Sequence, residues 1–158
     1  MKYIDLSKQG KNKGKYQTLV DDKDYDRLNK FRWSITNNGY AIRRSKYGYF
    51  LMHREIIEIP NGYEADHING NKLDNRKQNL RIATRSQNNA NQRINSYNTS
   101  GYKGVSWNKT LKLWMAYIKV DGKRYVKWAK NKEKAAEKYN QMAKEYFGEF
   151  AKLNIIKW

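Results

Sequence analysis

The sequence predicts an α+β fold: a strand-rich N-terminal region, a strand–loop–strand–helix centre, and a three-stranded antiparallel sheet packed on one helix. Three observations predict it. Short stretches that alternate apolar with polar residues fill the first 60 positions, separated by turn signals such as NNGY and SKYG. A second set of such stretches occupies 102–130 and contains the two-residue hairpin signal Asp121-Gly122. Beyond it, Ala135, Ala136, Tyr139, Met142, Ala143 and Tyr146 recur at spacings of three and four, a helix over 131–147 that Gly148 stops.

In chain order, KYQTLVDD, FRWSITNN, YAIRRSK and YGYFLMHREI read as strands. Asp21–Phe31 reads as one short helix, with Asp capping its first turn. Pro60-Asn61-Gly62 closes this region with a turn. Tyr63–Asp66 reads as a short strand leading to His67, and the following segment to Arg76 is loop-like, rich in Asn and Gly. Leu80–Ala83 alternates like a second strand. Thr84 then sits three residues before Gln87 in a capping-box pattern, which predicts a helix from about Arg85 to Arg93. INSYNTSG is polar and turn-forming, the expected linker. YKGVSWN, LWMAYIKVDG and KRYVKWAK are the three strands of the last module. The expected domains are therefore 1–60, strand-rich; 61–93, the central motif; 94–101, the linker; and 102–154, sheet plus helix.

Composition narrows the function. Mean hydropathy is −1.09, and no stretch approaches the roughly 18–20 apolar residues of a membrane span. MKYIDLSKQGKNKGK holds no apolar signal core. A soluble, cytoplasmic, non-secreted protein with no membrane partner is expected. The absence of cysteine excludes disulfides, thiol nucleophiles and Cys-rich zinc sites, and two histidines, His53 and His67, are too few for a tetrahedral zinc centre. The formal net charge is +18, shared equally between residues 1–95 and 96–158. Both halves therefore suit a polyanion. Thirteen Tyr and five Trp interleave with the cations, as in proteins that touch bases and sugars. The RNP-type aromatic block and the KH-type GxxG loop of RNA-binding modules are missing, which ranks an RNA partner low.

The densest chemistry lies in EADHINGNKLDNRKQNLRIATRSQNNAN, residues 64–91. Asp66 and His67 are adjacent, Asn79 follows His67 by twelve positions, and Asn88 follows Asn79 by nine. Asp66 and Asn88 offer oxygen ligands, which suit Mg2+ or Mn2+. His67 can be neutral near pH 7 and take a proton from water. Taken alone, Asp-His-Ile-Asn-Gly also reads as an ordinary turn.

The segment resembles the HNH homing endonucleases, the ββα-metal nucleases of phages and introns. The likeness rests on MHREI, the spacing H-x11-N-x8-N, the block DNRKQNLR and the helix start SQNNANQR, over about residues 52–93. The resemblance implies that Asp66 and Asn88 hold one divalent metal and that His67 activates the attacking water. It implies that Asn79 fixes the loop and orients His67 through a backbone hydrogen bond. The third letter of the motif is here an asparagine, a His-Asn-Asn variant. Mg2+ is the implied cofactor, Mn2+ a substitute, and no zinc knuckle is present. The implied products are 5′-phosphate and 3′-hydroxyl ends; a monomer, the expected state, would nick, and a dimer would cut both strands. His53, with Met52 and Ile56 on either side, reads as a packed histidine holding the N-terminal sheet to the motif ahead of the alternative, a phosphate contact or a support to the site. Arg76 and Lys77 could clamp a phosphate or simply be solvated.

Residues 101–154 resemble the APETALA2-type DNA-binding domain, from GYKGVSWN through WMAYIKV to EYFGEFAKLN. In that family the sheet, not a helix, lies in the major groove. Alternation then directs Ala116 and Ile118 to the helix and Met115, Tyr117 and Lys119 to DNA. Lys123 and Tyr125 are expected opposite them, with Lys103 and Trp107 on the first strand's matching face. Lysine lacks the guanidinium fork that reads guanine, so phosphate contact with modest specificity is expected. Trp114 reads as core. A non-catalytic DNA-binding protein or regulator is the alternative, against which Asp66, His67 and Asn88 stand together.

Overall fold

A computed structural model describes residues 1–7 and 14–157. The chain divides into two compact units, Met1–Thr84 and Arg85–Trp158. Both are α+β with small antiparallel sheets.

In the first unit, β1 (Lys2–Leu6) pairs with β2 (Tyr16–Val20), and β3 (Ser34–Ile35), β4 (Ala41–Ser45) and β5 (Gly48–Leu51) form a meander. Helix α1 (Asp22–Leu28) connects the two. Ile4, Leu6, Val20, Leu28, Trp33, Ala41 and Met52 close one apolar core, the burial that stabilises so small a unit. The Trp33 indole is satisfied inside it by the Leu28 carbonyl, 2.8 Å away. Asp21 sits at the N-cap of α1, but its side chain does not cap the helix as expected. Instead Oδ2 accepts from the Lys77 amide at 2.8 Å, tying the helix start to the motif loop.

The strand expected over YGYFLMHREI is shorter than the pattern suggests. It ends at Leu51, and α2 (Met52–Ile56) follows. Met52 and His53 are consecutive yet both buried, which a half-buried strand forbids, and Met52 and Ile56 reach the same core at helical i, i+4 spacing. The first strand, β1, carries the same alternation as its neighbours and joins them although it was not expected.

The central motif forms largely as expected. Strands β6 (Glu64–His67) and β7 (Leu80–Ala83) pair antiparallel, His67 opposite Leu80 and Asp66 opposite Arg81. A single 3-10 turn, Lys77–Asn79, precedes β7. The loop between them is moulded on β2: Leu19 donates to Leu73 and accepts from the Asn75 amide, each at 2.8 Å.

The second unit begins with α3 (Arg85–Asn91). Its sheet runs β10-β9-β8, from β8 (Val105–Asn108), β9 (Leu113–Val120) and β10 (Lys123–Ala129). Helix α4 (Lys132–Phe147) covers it, burying Ala135, Ala136, Tyr139, Met142, Ala143 and Phe147 against Val105, Ala116 and Ile118. Asn131 caps α4 by accepting from the Lys134 amide at 2.8 Å, and Gly148 ends it at φ 51°. Asp121 and Gly122 both take positive φ, as a two-residue turn of this hand requires. Residues 94–101 lie inside this unit. Within them Asn98 accepts from Ser100 and Gly101 and donates to the Tyr102 carbonyl, a hydrogen-bonded turn that introduces β8.

Candidate active site

His67 ends β6 and is 4% exposed. Its Nε2 lies 3.2 Å from Asn75 Oδ1. Which atom carries the proton follows from the far side of that amide. Asn75 Nδ2 faces Thr18 Oγ1 at 2.8 Å and the Lys72 carbonyl at 3.5 Å. A carbonyl only accepts, and the Thr18 hydroxyl gives its one hydrogen to the Leu73 carbonyl, 2.9 Å away. The amide nitrogen must therefore face Thr18, and the amide oxygen must face the imidazole. His67 Nε2 donates, and the lone pair of the neutral ring is on Nδ1. Asn75 is itself 1% exposed, so no water competes for its oxygen.

Asp66, 3% exposed, precedes it. On a strand its side chain leaves the opposite face from that of His67. Asp66 Oδ2 accepts from Arg81 Nε at 2.8 Å, a cross-strand ion pair that partners a buried carboxylate. Asn79 braces the loop between the strands. Its Oδ1 accepts from the Asn69 amide at 3.0 Å, its Nδ2 donates to the Asp74 carbonyl at 2.8 Å, and its own carbonyl receives the Ile68 amide at 2.9 Å. Arg76, read as either a phosphate clamp or a solvated charge, sets its fork on Asp74, Nε to Oδ1 at 2.8 Å and Nη2 to Oδ2 at 2.6 Å. That guanidinium holds the Asp74 carboxyl below the usual carboxylate range. Lys77 is exposed. Asn88 lies on α3, in the second unit.

Two rings flank His67: His53 at 5.4 Å, edge to face, and Tyr40 at 5.9 Å. Burial pushes His67 below the ordinary histidine value, opposed by its bond to Asn75 and by Asp66 and Asp74. Burial also raises the Tyr40 phenol, with Glu64 and Asp66 adding to it. His53 is 6% exposed. Burial, then the neighbouring His67 and Arg54, pushes it down to about 4. Between that value and the ordinary 6.5, the unfolded chain binds a proton that the folded chain refuses. Stability must therefore fall as pH drops through this window. The complete loss is on the order of 3 kcal/mol at its acid end. Urea titrations at pH 7 and pH 4.5 measure it; a His53→Leu variant should have a shallower slope, and an unchanged slope would refute the assignment.

Among the described residues no group of three or more His, Asp or Glu converges. Magnesium in nucleic-acid enzymes is held through one or two protein oxygens, waters and phosphate, and needs no such cage.

In the second unit the register corrects the expected nucleic-acid face. Tyr125 pairs with Ile118 and Lys123 with Val120, so both lie on the side that carries α4. The Tyr125 ring meets Tyr146 of α4 at 4.6 Å. A two-residue turn at 121–122 makes paired positions sum to an odd number, so it is Arg124, Val126 and Trp128 that share the face of Lys119, Tyr117 and Met115. Arg124 stacks on the Tyr117 ring at 4.4 Å. Trp107 pairs with Trp114 on the α4 side, the rings 5.3 Å apart. Trp114 is only partly buried, at the rim of the core. Lys103 precedes β8, and its ammonium donates to the carbonyls of Asn89, Ala90 and Gln92, at 3.1, 2.5 and 2.6 Å. It neutralises the negative end of α3, which has no cation of its own in its last turn.

Thr18 and Arg81 were not legible as site residues. Nothing local marks Thr18, which is 57 positions from Asn75. Arg81 could have been found from pairing: a β6–β7 hairpin places it opposite Asp66.

The model of the HNH endonuclease family matches residues 58–90. The chain is 34% identical to an uncharacterized HNH endonuclease of Acanthamoeba polyphaga mimivirus over 154 residues, 93% of this chain and 79% of the relative. It is 42% identical to Protein 3.8 of Escherichia phage T7 over 67 residues, 42% of this chain and 55% of that protein. No solved structure matches. The chain belongs to the HNH endonuclease family. No helix among the described residues is long and apolar enough to cross a membrane.

Proposed function

We propose that this HNH endonuclease is of the homing type and hydrolyses phosphodiesters of double-stranded DNA with a divalent metal, Mg2+ or Mn2+. The observation that carries this reading is the buried bond between His67 and Asn75, which directs the basic nitrogen of a neutral imidazole to Nδ1. His67 Nδ1 takes the proton from a water. The oxygen attacks phosphorus as the bond to the 3′ oxygen breaks, and that oxygen takes a proton from solvent water, giving 5′-phosphate and 3′-hydroxyl ends. Asp66 and Asn88 would hold the cation, and Arg81 pairs with Asp66 across the strands. When bound, the cation stabilises charge on the phosphate and on the departing oxygen. Asn79 keeps the loop closed so that Asn75 stays on the imidazole.

The C-terminal sheet, of APETALA2 type, anchors the DNA through the face of Met115, Tyr117, Lys119 and Arg124. The reading divides labour between a cutting region, 61–93, and an anchoring module, 102–154, of one monomer that nicks.

Supercoiled plasmid is the test. Protein with Mg2+ should yield nicked circles, EDTA should stop the reaction, and Mn2+ should restore it. Linear product in the first turnover would point to paired sites. Plasmid that is bound tightly yet stays intact in both metals would overturn the catalytic reading in favour of a DNA-binding protein.

A further inference from the structure

We infer that the β4–β5 hairpin is a second DNA-binding element, one that takes the phosphodiester backbone and groove of a duplex. The inference rests on the endonuclease reading for the identity of the polyanion. Its evidence is local to the first unit.

The hairpin is tight. Ser45 pairs with Gly48 across the two-residue turn Lys46-Tyr47, Gly48 takes φ +124°, and the Ser45 hydroxyl oxygen accepts from the Tyr47 amide at 3.0 Å. A tip so constrained loses little entropy on binding. Its two faces differ in kind. On one, Arg43 is stacked between Phe31 and Phe50, at 4.2 and 4.4 Å, and its charge is met by Glu55 at 2.5 Å. That arginine is structural. On the other, Arg44 lies opposite Tyr49, its guanidinium 5.6 Å from the ring. At the tip the Lys46 ammonium lies 4.9 Å from the Tyr47 ring.

Tyr47 is 80% exposed and Tyr49 69% exposed. Such large aromatic surface in water, on two adjacent cation–aromatic pairs, serves no core. From Gly39 to Arg54 the sequence holds no acidic residue. Cations alternating with flat exposed rings match the backbone of a duplex, phosphates to Arg44 and Lys46 and sugars to Tyr47 and Tyr49, and an acidic protein in its place would leave duplex affinity unchanged in the variants.

Affinity of the full chain for a fluorescein-labelled mixed-sequence duplex, measured by anisotropy in EDTA across a salt series, tests this. The variant Arg44→Ala/Lys46→Ala should bind more weakly. The slope of log affinity against log salt should shrink by about 1.8, two phosphate contacts. Tyr47→Ala/Tyr49→Ala should lose about tenfold with the slope unchanged. Both should keep the wild-type unfolding temperature, because all four side chains are peripheral. Affinity and slope equal to wild type in both variants, with folding intact, would overturn the proposal. So would a loss confined to a single-stranded RNA of the same sequence. Because metal is absent, the outcome does not depend on cleavage; failure of the plasmid assay with a positive hairpin result would remove the nuclease reading alone.

Discussion

His67→Ala is expected to slow strand cleavage by about 10²- to 10⁴-fold, the contribution of a positioned general base, while DNA affinity stays at the wild-type level. Rates on supercoiled plasmid in saturating Mg2+, beside anisotropy in EDTA, check both halves. The sharper variant is Asn75→Ala. It leaves His67 in place and removes the acceptor that holds Nε2–H. The ring can then turn or exchange tautomers, and the rate should fall by about 10²-fold, the effect of misplacing a reacting group. Thr18→Val removes only the hydroxyl that orients the amide, so its loss should be smaller. Nitrogen NMR of His67 separates orientation from simple destabilisation: wild type should show the Nε2-protonated form, and Asn75→Ala a mixture. A wild-type ring protonated on Nδ1 would refute the assignment, as would full activity in Asn75→Ala.

The largest expected effect on folding comes from one methyl group. Gly104 has φ +67°, and a Cβ there would lie 2.2 Å from Tyr139 Cδ2, 2.3 Å from Cε2 and 2.7 Å from the Tyr117 carbonyl oxygen. Tyr139 cannot swing aside, being 3% exposed within the core beneath α4. Backbone strain adds to overpacking, and Gly104→Ala should destabilise the second unit by roughly 3 kcal/mol or more. Gly101→Ala is the control: φ is +79°, but nothing lies within 4 Å, so strain of about 1 kcal/mol remains alone. Urea unfolding followed by tryptophan emission reads this unit, since Trp107, Trp114 and Trp128 belong to it. Equal midpoints for the two variants would show that the ring moves and that the clash is not real.

Much of the architecture was legible because local pattern and tertiary burial agree. The spacing of Ala135, Ala136, Tyr139, Met142 and Ala143 is the buried face of α4, and Asp121-Gly122 turns the hairpin as its residue types demand. YGYFLMHREI misled because a short apolar run fits strand and helix alike, and only the core decides that Met52 and His53 are both inside. The face of Tyr125 misled because alternation within one strand says nothing about register with the next.

Taken alone, the sequence determined the polycationic character of both halves and the α+β class, and in the linear order Asp66, His67, Asn79, Asn88 it carried a resemblance to the HNH endonucleases. These depend on composition, period and spacing, which are properties of neighbours in the chain. Only the tertiary structure decided that Asn75 touches the imidazole, that Arg81 holds Asp66, that Arg76 serves Asp74, and that Lys103 caps α3. Each is a contact between residues that folding, not sequence spacing, brings together, or a choice among several equivalent polar partners. A buried polar group must find a partner, but which one it finds is fixed by the packing around it.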